Sequence, residues 1–215
     1  ETSCINLCDT QSNWSLPLAS DRVALEETAS DCALRQLDRL LSHPDLPFAN
    51  KLVINTNDSK YGNAEYLSRA ALHPHVVHCV RLRAGMRIWE RYEGPQHGNR
   101  KRVYGQKYYL HRNSRQKSYR DGKSGKLREV FQRSLFERQA DEQTEIDIKT
   151  TKGRSITIEL WRFNNMMIRS KTGYDMKDKL LDIIALEARD SHTGKLLFGR
   201  EMYIGLCGQR KSEIA

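Results

Sequence analysis

The chain has 215 residues, 38% of them hydrophobic and 29% charged, and a formal net charge of +9. That length suggests one large domain, or one domain with an insertion. No run of about 18 apolar residues exists, which excludes a transmembrane helix, and ETSCINLCDT at the start has neither the basic nor the apolar region of a signal peptide.

The chain begins at Glu1 rather than Met, which suggests a fragment or a processed product. Five cysteines, at positions 4, 8, 32, 79 and 207, are odd in number, widely spaced and free of any CxxC pair. A zinc site is not expected, a reduced cytosolic setting is favoured, and all five read as small buried hydrophobes. The charge is uneven. Between Arg81 and Arg133, sixteen Lys or Arg stand against four Asp or Glu, a local charge of +12. Such a block points to a polyanion, and nucleic acid is the commonest one.

Cys4–Cys8 and Trp14–Leu18 read as antiparallel edge strands joined near Asp9–Asn13, closed by Arg22–Val23. Leu25 to Leu41 has the clearest helical spacing, with Glu26 and Glu27 in its first turn and Pro44 and Pro47 beyond its end. Leu52–Ile54 is a short apolar run followed at once by the turn formers Asn55–Ser59, which predicts a buried, parallel strand. Asp58 then stands at the carboxyl end of that strand, where α/β sheets gather ligands and chemistry. It also suits the cap of the helix expected over Asn63–Leu72. Val76–Leu82 reads as the next strand, so the order to this point is β-β-α-β-α-β.

The texture then changes. GPQHGNRKR (94–102) is a basic loop, Val103–His111 a Tyr-rich strand, and Asn113–Lys126 a charged hairpin tip. Strands are expected at Val130–Glu137, Glu145–Thr150, Ser155–Phe163 (continuing through Met166–Ser170), Leu180–Arg189 and Lys195–Cys207. Tight turns fall at Lys152-Gly153 and over Asp190–Gly194. The second half thus reads as antiparallel β, with no linker, repeat or low-complexity segment. Trp89 and Trp161 read as core. His73, His75 and His78 crowd one stretch, but their spacing matches no ligand pattern and reads as a surface turn.

Several stretches, in order, resemble the DDE-type transposases of bacterial insertion sequences: SWSLPLASDRV, LVINTNDSKYGNAEYL, VVHCVRLRAGMRIW, RVYGQKYYLH, IELWRF and MYIGLCGQRKSEI. The strongest piece is D-S-x-Y-G-x-x-x-[FY]-[LI], here Asp58 to Leu67. The likeness is greatest to the group with a β-rich insertion in the catalytic domain. It implies an α/β fold, a ribonuclease-H-like mixed sheet with a large antiparallel β insertion. The implied division is 1–84 as core portion, 85–200 as basic β-rich insertion and 201–215 as a return strand.

The family's activity is metal-dependent DNA cleavage and strand transfer, with Mg2+ or Mn2+ held in a two-metal site by Asp, Asp and Glu. By position Asp58 matches the second Asp, as catalytic residue and metal ligand. Too few residues separate Asp9 from the first helix for Asp9 to be the first Asp, which is therefore expected upstream of Glu1. The family's Glu lies in a stretch that would follow Gln209–Ala215, where Glu213 is the nearest carboxylate. The chain alone is expected to be inactive as an enzyme, and its partners are expected to be DNA and, across two DNA ends, a second copy. A cytoplasmic, nucleoid-associated location follows, with no membrane. Lys60, Arg81, Arg83, Arg100, Lys101, Arg102, Lys107, Arg112, Arg115, Lys117 and Arg120 are the expected phosphate contacts. Tyr104, Tyr108, Tyr109 and Tyr119 interleave with them, either to stack on bases or to pack in the sheet. Two readings of other classes stay open: a non-catalytic nucleic-acid-binding remnant, and an unrelated basic β domain in which Asp58 is only a cap.

Overall fold

A computed structural model describes residues 2–8, 15–45, 51–70, 73–96, 101–169, 176 and 178–214. The chain opens with a hairpin of β1 (Thr2–Cys8) and β2 (Ser15–Arg22). Its register slips between Ile5 and Asn6, where Asn6 meets Pro17. A proline cannot donate to a ladder, so it belongs on an edge or at such a bulge. Helix α1 (Ala29–Leu41) starts four residues later than its apolar spacing suggests. The cause is a capping box, in which Thr28 accepts from the Asp31 N–H and Asp31 accepts from the Thr28 N–H. Hydrogen bonds from Thr28, then the ion pair with Arg69, hold the Asp31 carboxyl down at about 2. The buried side of α1 carries Cys32, Ala33, Leu34 and Leu37. It also carries Gln36, whose amide donates to the Ser3 carbonyl at 3.0 Å while its oxygen accepts from the Ser3 hydroxyl at 2.7 Å.

Next come β3 (Val53–Asn57), α2 (Ala64–Ala70), β4 (Val76–Leu82), β5 (Arg87–Arg91), β6 (Tyr104–Tyr109), β7 (Arg115–Arg120) and β8 (Leu127–Gln132). After a 3-10 turn at Leu135–Glu137 follow β9 (Glu142–Lys149), β10 (Ser155–Met166), β11 (Leu181–Asp190) and β12 (Met202–Cys207). The main sheet has six strands in the order β3-β4-β12-β11-β10-β9. Only β3 and β4 are parallel; every other pairing in it is antiparallel. Three two-stranded sheets, β1-β2, β5-β6 and β7-β8, complete the strands.

The ribonuclease-H-like expectation is therefore corrected. The described residues are mostly β, with 47% strand, 14% helix and only two α-helices among them. Two helices of 13 and 7 residues cannot cover both faces of a parallel sheet. Among the described residues the first hairpin pairs only with itself, and β3 is left at a sheet edge with Ile54 exposed. The six-stranded sheet draws strands from all three sequence segments, since β12 lies between β4 and β11.

Several local expectations shift for identifiable reasons. Cys4 and Cys8 are exposed on the hairpin, while Cys32 and Cys207 are buried. The strand expected over Val130–Glu137 begins at Leu127 and stops at Gln132, because Ser134 caps a 3-10 turn by accepting from the Phe136 N–H. The strand expected from Lys195 begins only at Met202, because Lys195 still belongs to the turn: its carbonyl accepts from the Asp190 N–H. β5 is a strand that the sequence pattern does not announce. It pairs with β6 and, through reciprocal Trp89–Met167 backbone bonds of 2.9 and 2.7 Å, continues onto the end of β10. The core joins both halves, through Tyr66, Leu67, Val80, Leu110, Trp161, Phe163, Leu181, Ile183 and Tyr203.

His78 lies within β4, fully buried, rather than in a surface turn. Its Nε2 is 3.0 Å from the Ala70 carbonyl and its Nδ1 3.1 Å from the Asn55 amide, which also donates to the Tyr66 hydroxyl. With Nε2 protonated and donating, Nδ1 accepts, so the ring is satisfied as the neutral tautomer. Burial pushes its pKa down to about 4, against the raising effect of the Ala70 carbonyl. A second polar cluster sits at a bulge in β10 between Phe163 and Met166, where Asn165 adopts a left-handed φ of 58°. There Asp182, on β11, accepts from the Asn165 N–H at 3.1 Å, from Arg162 at 2.8 Å, and from Lys211.

Two outcomes follow from these clusters. An unfolded His78 takes up a proton below about 6.5 and the folded one only near 4, so stability is full above pH 6.5 and falls between those values, by on the order of 3 kcal/mol. Urea midpoints of the protein and of His78→Gln at pH 7 and pH 5 check this: the difference between the two pH values should shrink in the variant, and an equal drop in both contradicts it. Asp182→Ala leaves Arg162 and Lys211 facing each other without their carboxylate and should cost about 3–5 kcal/mol in the same assay; a loss below about 1 kcal/mol contradicts that assignment.

Candidate nucleic-acid interface

Asp58 follows β3 directly and is exposed. One carboxylate oxygen accepts from the Lys60 N–H at 2.7 Å, and its carbonyl accepts from the Tyr61 N–H at 3.2 Å. Asp58 thus closes a turn. The cap of α2 is a different residue, Asn63, whose side chain accepts from the Tyr66 N–H at 2.9 Å. The reading of Asp58 as the helix cap is corrected by this contact. Gly62 explains why the turn sits where it does. A Cβ at Gly62 would lie 2.5 Å from the Arg81 carbonyl, so the backbone rests against β4 in a way no other residue allows.

Among the described residues, no group of three or more His, Cys, Asp or Glu side chains could hold a metal ion. Glu213 is ion-paired with Arg210, and Asp9 lies outside the described residues. A single exposed carboxylate is a poor donor set for two divalent ions, which need several shared oxygens. The described residues therefore do not fit a two-metal centre.

The basic block is displayed on β structure. Lys60, Arg81, Arg83, Lys101, Arg102, Arg115, Lys117 and Arg120 are exposed, Lys107 and Arg112 are half-buried, and Arg100 lies outside the described residues. These residues do not form one cluster. Arg81 is on β4 and Arg83 just after it, beside the Asp58 turn. Arg102 stacks on the Tyr92 ring at 4.3 Å and donates to the Tyr104 carbonyl at 3.2 Å. Lys107 lies 5.4 Å over the Tyr109 ring. Tyr108 and Tyr109 are both buried, because the end of β6 is covered on both faces, whereas Tyr119 is exposed.

Arg112 has a different environment from its neighbours. Its guanidinium lies 4.3 Å from the Phe136 centroid and 4.6 Å from that of Trp161, and its Nε is 3.6 Å from the buried carboxylate of Glu187. Its N–H donates to Glu201 at 3.0 Å. These contacts fasten the base of the β7–β8 hairpin to the main sheet. They also form one wall of a cleft of about 570 Å³ lined by Arg112, Ser114, Phe136, Arg138, Gln143 and Trp161.

Sequence reasoning singles out the cations of β7 but not those of its partner strand. Arg128 on β8, with Lys123 and Lys126 in the turn, belongs to the same basic surface. The alternation Arg115-x-Lys117-x-Tyr119 is the available signal, because a period of two marks a strand with one basic face. No family model, curated protein or solved structure matches the chain, and no helix among the described residues is long and apolar enough to cross a membrane.

The Gly62 contact gives a direct check. Gly62→Ala should lower stability by about 1–3 kcal/mol in chemical denaturation, because backbone rather than a flexible side chain must move. An unchanged midpoint would show that the Asp58 turn does not depend on its seat against β4.

Proposed function

We propose that the chain is the DNA-gripping part of a DDE-type transposase, holding duplex DNA through phosphate contacts. The observation that carries this reading is the basic block itself, exposed on strands and short of acidic partners. Lys117 and Arg120 make no ion pair among the described residues, and Lys101 makes none either. A solubilising surface would intersperse both signs; sixteen cations against four anions between Arg81 and Arg133 favour a polyanion. The transposase part of the reading is supported by the resemblance of the quoted stretches, above all Asp58–Leu67. Because the described residues do not fit a two-metal centre, the role proposed for this chain is binding, and Asp58 is offered as one ligand of a set that the described residues do not complete.

Neutralising phosphates releases condensed counterions, so affinity falls linearly in log–log form as salt rises. The chain should bind duplex DNA with a steep salt dependence. Replacing Arg100, Lys101 and Arg102 by Ala should flatten the slope of log K against log salt by roughly two to three, at about 0.9 for each phosphate no longer neutralised. Salt-independent binding, or an unchanged slope, contradicts the reading. With Mg2+ or Mn2+ added, the 215-residue chain should bind DNA without cutting it. Cleavage that disappears in Asp58→Asn would instead reveal a working metal site.

A further inference from the structure

Among the described residues, strands β7 and β8 form a ribbon that pairs with no other sheet. All six residues of β7 are exposed, and so are four of the six in β8. An isolated two-stranded hairpin is marginal in water. This one is secured at its base. There Gln132 accepts from Arg115 at 3.0 Å, and Ser134 donates to the Arg112 carbonyl at 2.9 Å. Beyond that base, the ribbon adds little to the core.

The register sorts its side chains. Arg115 opposes Gln132, Lys117 opposes Val130 and Tyr119 opposes Arg128. Directly opposed residues of an antiparallel pair project to the same side. One face therefore carries exposed Arg115, Lys117, Tyr119 and Arg128 with half-buried Val130 and, at the base, buried Gln132, and no carboxylate of either strand. The other presents Arg120 and Glu129 with the exposed apolar side chains of Leu127 and Phe131. The acid nearest the tip, Asp121, is engaged by the turn, accepting from the Lys123 and Ser124 N–H groups at 3.0 and 2.8 Å and pairing with Arg128 at 3.2 Å.

We propose that this ribbon enters the major groove of duplex DNA with the Arg115–Lys117–Tyr119–Arg128 face turned to the base edges and flanking phosphates. The inference rests on the DNA-binding reading above and adds the element, the face and the groove. A major groove about 12 Å wide admits a two-stranded ribbon. Six residues per strand, at about 3.4 Å each, span about 20 Å, enough to follow the groove across several base pairs. Arg and Lys on that face match the O6 and N7 acceptors of guanine and the phosphates beside them. The apolar Leu127–Phe131 side faces away from the charged backbone.

Lys117 and Arg120 make a matched pair for testing this. Each is exposed on the same strand, neither forms an ion pair among the described residues, and they lie on opposite faces. Binding of each single variant, Lys117→Gln and Arg120→Gln, to a fluorescent 20-base-pair duplex is measured across a salt series. Lys117→Gln should weaken binding several-fold and lower the salt slope by about 0.9, with less than half that effect from Arg120→Gln. Methylating guanine N7 in the duplex should weaken binding, and the minor-groove ligand netropsin should not compete. Equal effects of the two variants, a larger effect from Arg120→Gln, or indifference to N7 methylation overturns the ribbon assignment while leaving DNA binding intact. Failure of the unsubstituted protein to bind the duplex overturns the DNA reading itself.

Discussion

Asp182 is the charge on which the main sheet depends. It lies on β11, only 3% exposed, opposite Leu206 of β12. Its two oxygens collect Arg162 and the Asn165 N–H from β10, and Lys211 from the turn after β12. Burial alone would raise its pKa, but the Lys211 and Arg162 contacts outweigh that and hold the carboxyl below its ordinary range. The arrangement keeps the β10 bulge in register and holds the chain beyond β12 against the sheet. β12 in turn joins the parallel pair β3–β4 to the antiparallel half. The network is not fully matched: Arg162 Nε and Asn164 Oδ1 are buried without a partner among the described residues. A buried charge cluster of this kind fixes geometry more than it adds net stability.

From that frame the rest is carried outward. Arg112, set against Phe136 and Trp161 and near Glu187, ties the base of the basic ribbon to β10 and β11. The side chains beyond it are left to solvent, which suits a surface whose partner supplies the opposite charge. At the other side of the sheet, the β3–β4 pair holds the Asp58 turn against Arg81 through Gly62. The main sheet thus supports two separate surfaces, the basic ribbon and the Asp58 turn with Arg81 and Arg83 beside it.

How much of this is legible in the sequence varies with how local the cause is. Strand β10 and helix α1 are legible because their alternation and helical spacing are self-contained, and the parallel neighbour of the Leu52–Ile54 run is present as β4. The fold class is not legible. The order β-β-α-β-α-β resembles a doubly covered sheet, but pairing partners are long-range choices. Here the first hairpin pairs with itself, and β4 takes β12 as its second neighbour from more than a hundred residues away. β7 merges into a charged tip because strands without apolar residues give no hydrophobic period, and the Asp182 cluster is invisible because its members lie on three separate elements. For the site, the basic block is plain from composition. Its division into two faces of a ribbon needs the register. The buried state of His78 needs its neighbours Asn55 and Ala70.

The central claim is that the exposed β7–β8 ribbon is the element that enters the groove of the DNA, with the basic stretch 100–102 adding phosphate contacts beside it. Amide hydrogen exchange of the whole chain, with and without saturating duplex, reads this directly, because weakly protected backbone gains protection where a ligand covers it. The account predicts new protection over Arg115–Gln132, with β10 and β11 unchanged. Protection confined to the Asp58 turn or to β5–β6, with the ribbon exchanging as freely as before, would contradict it.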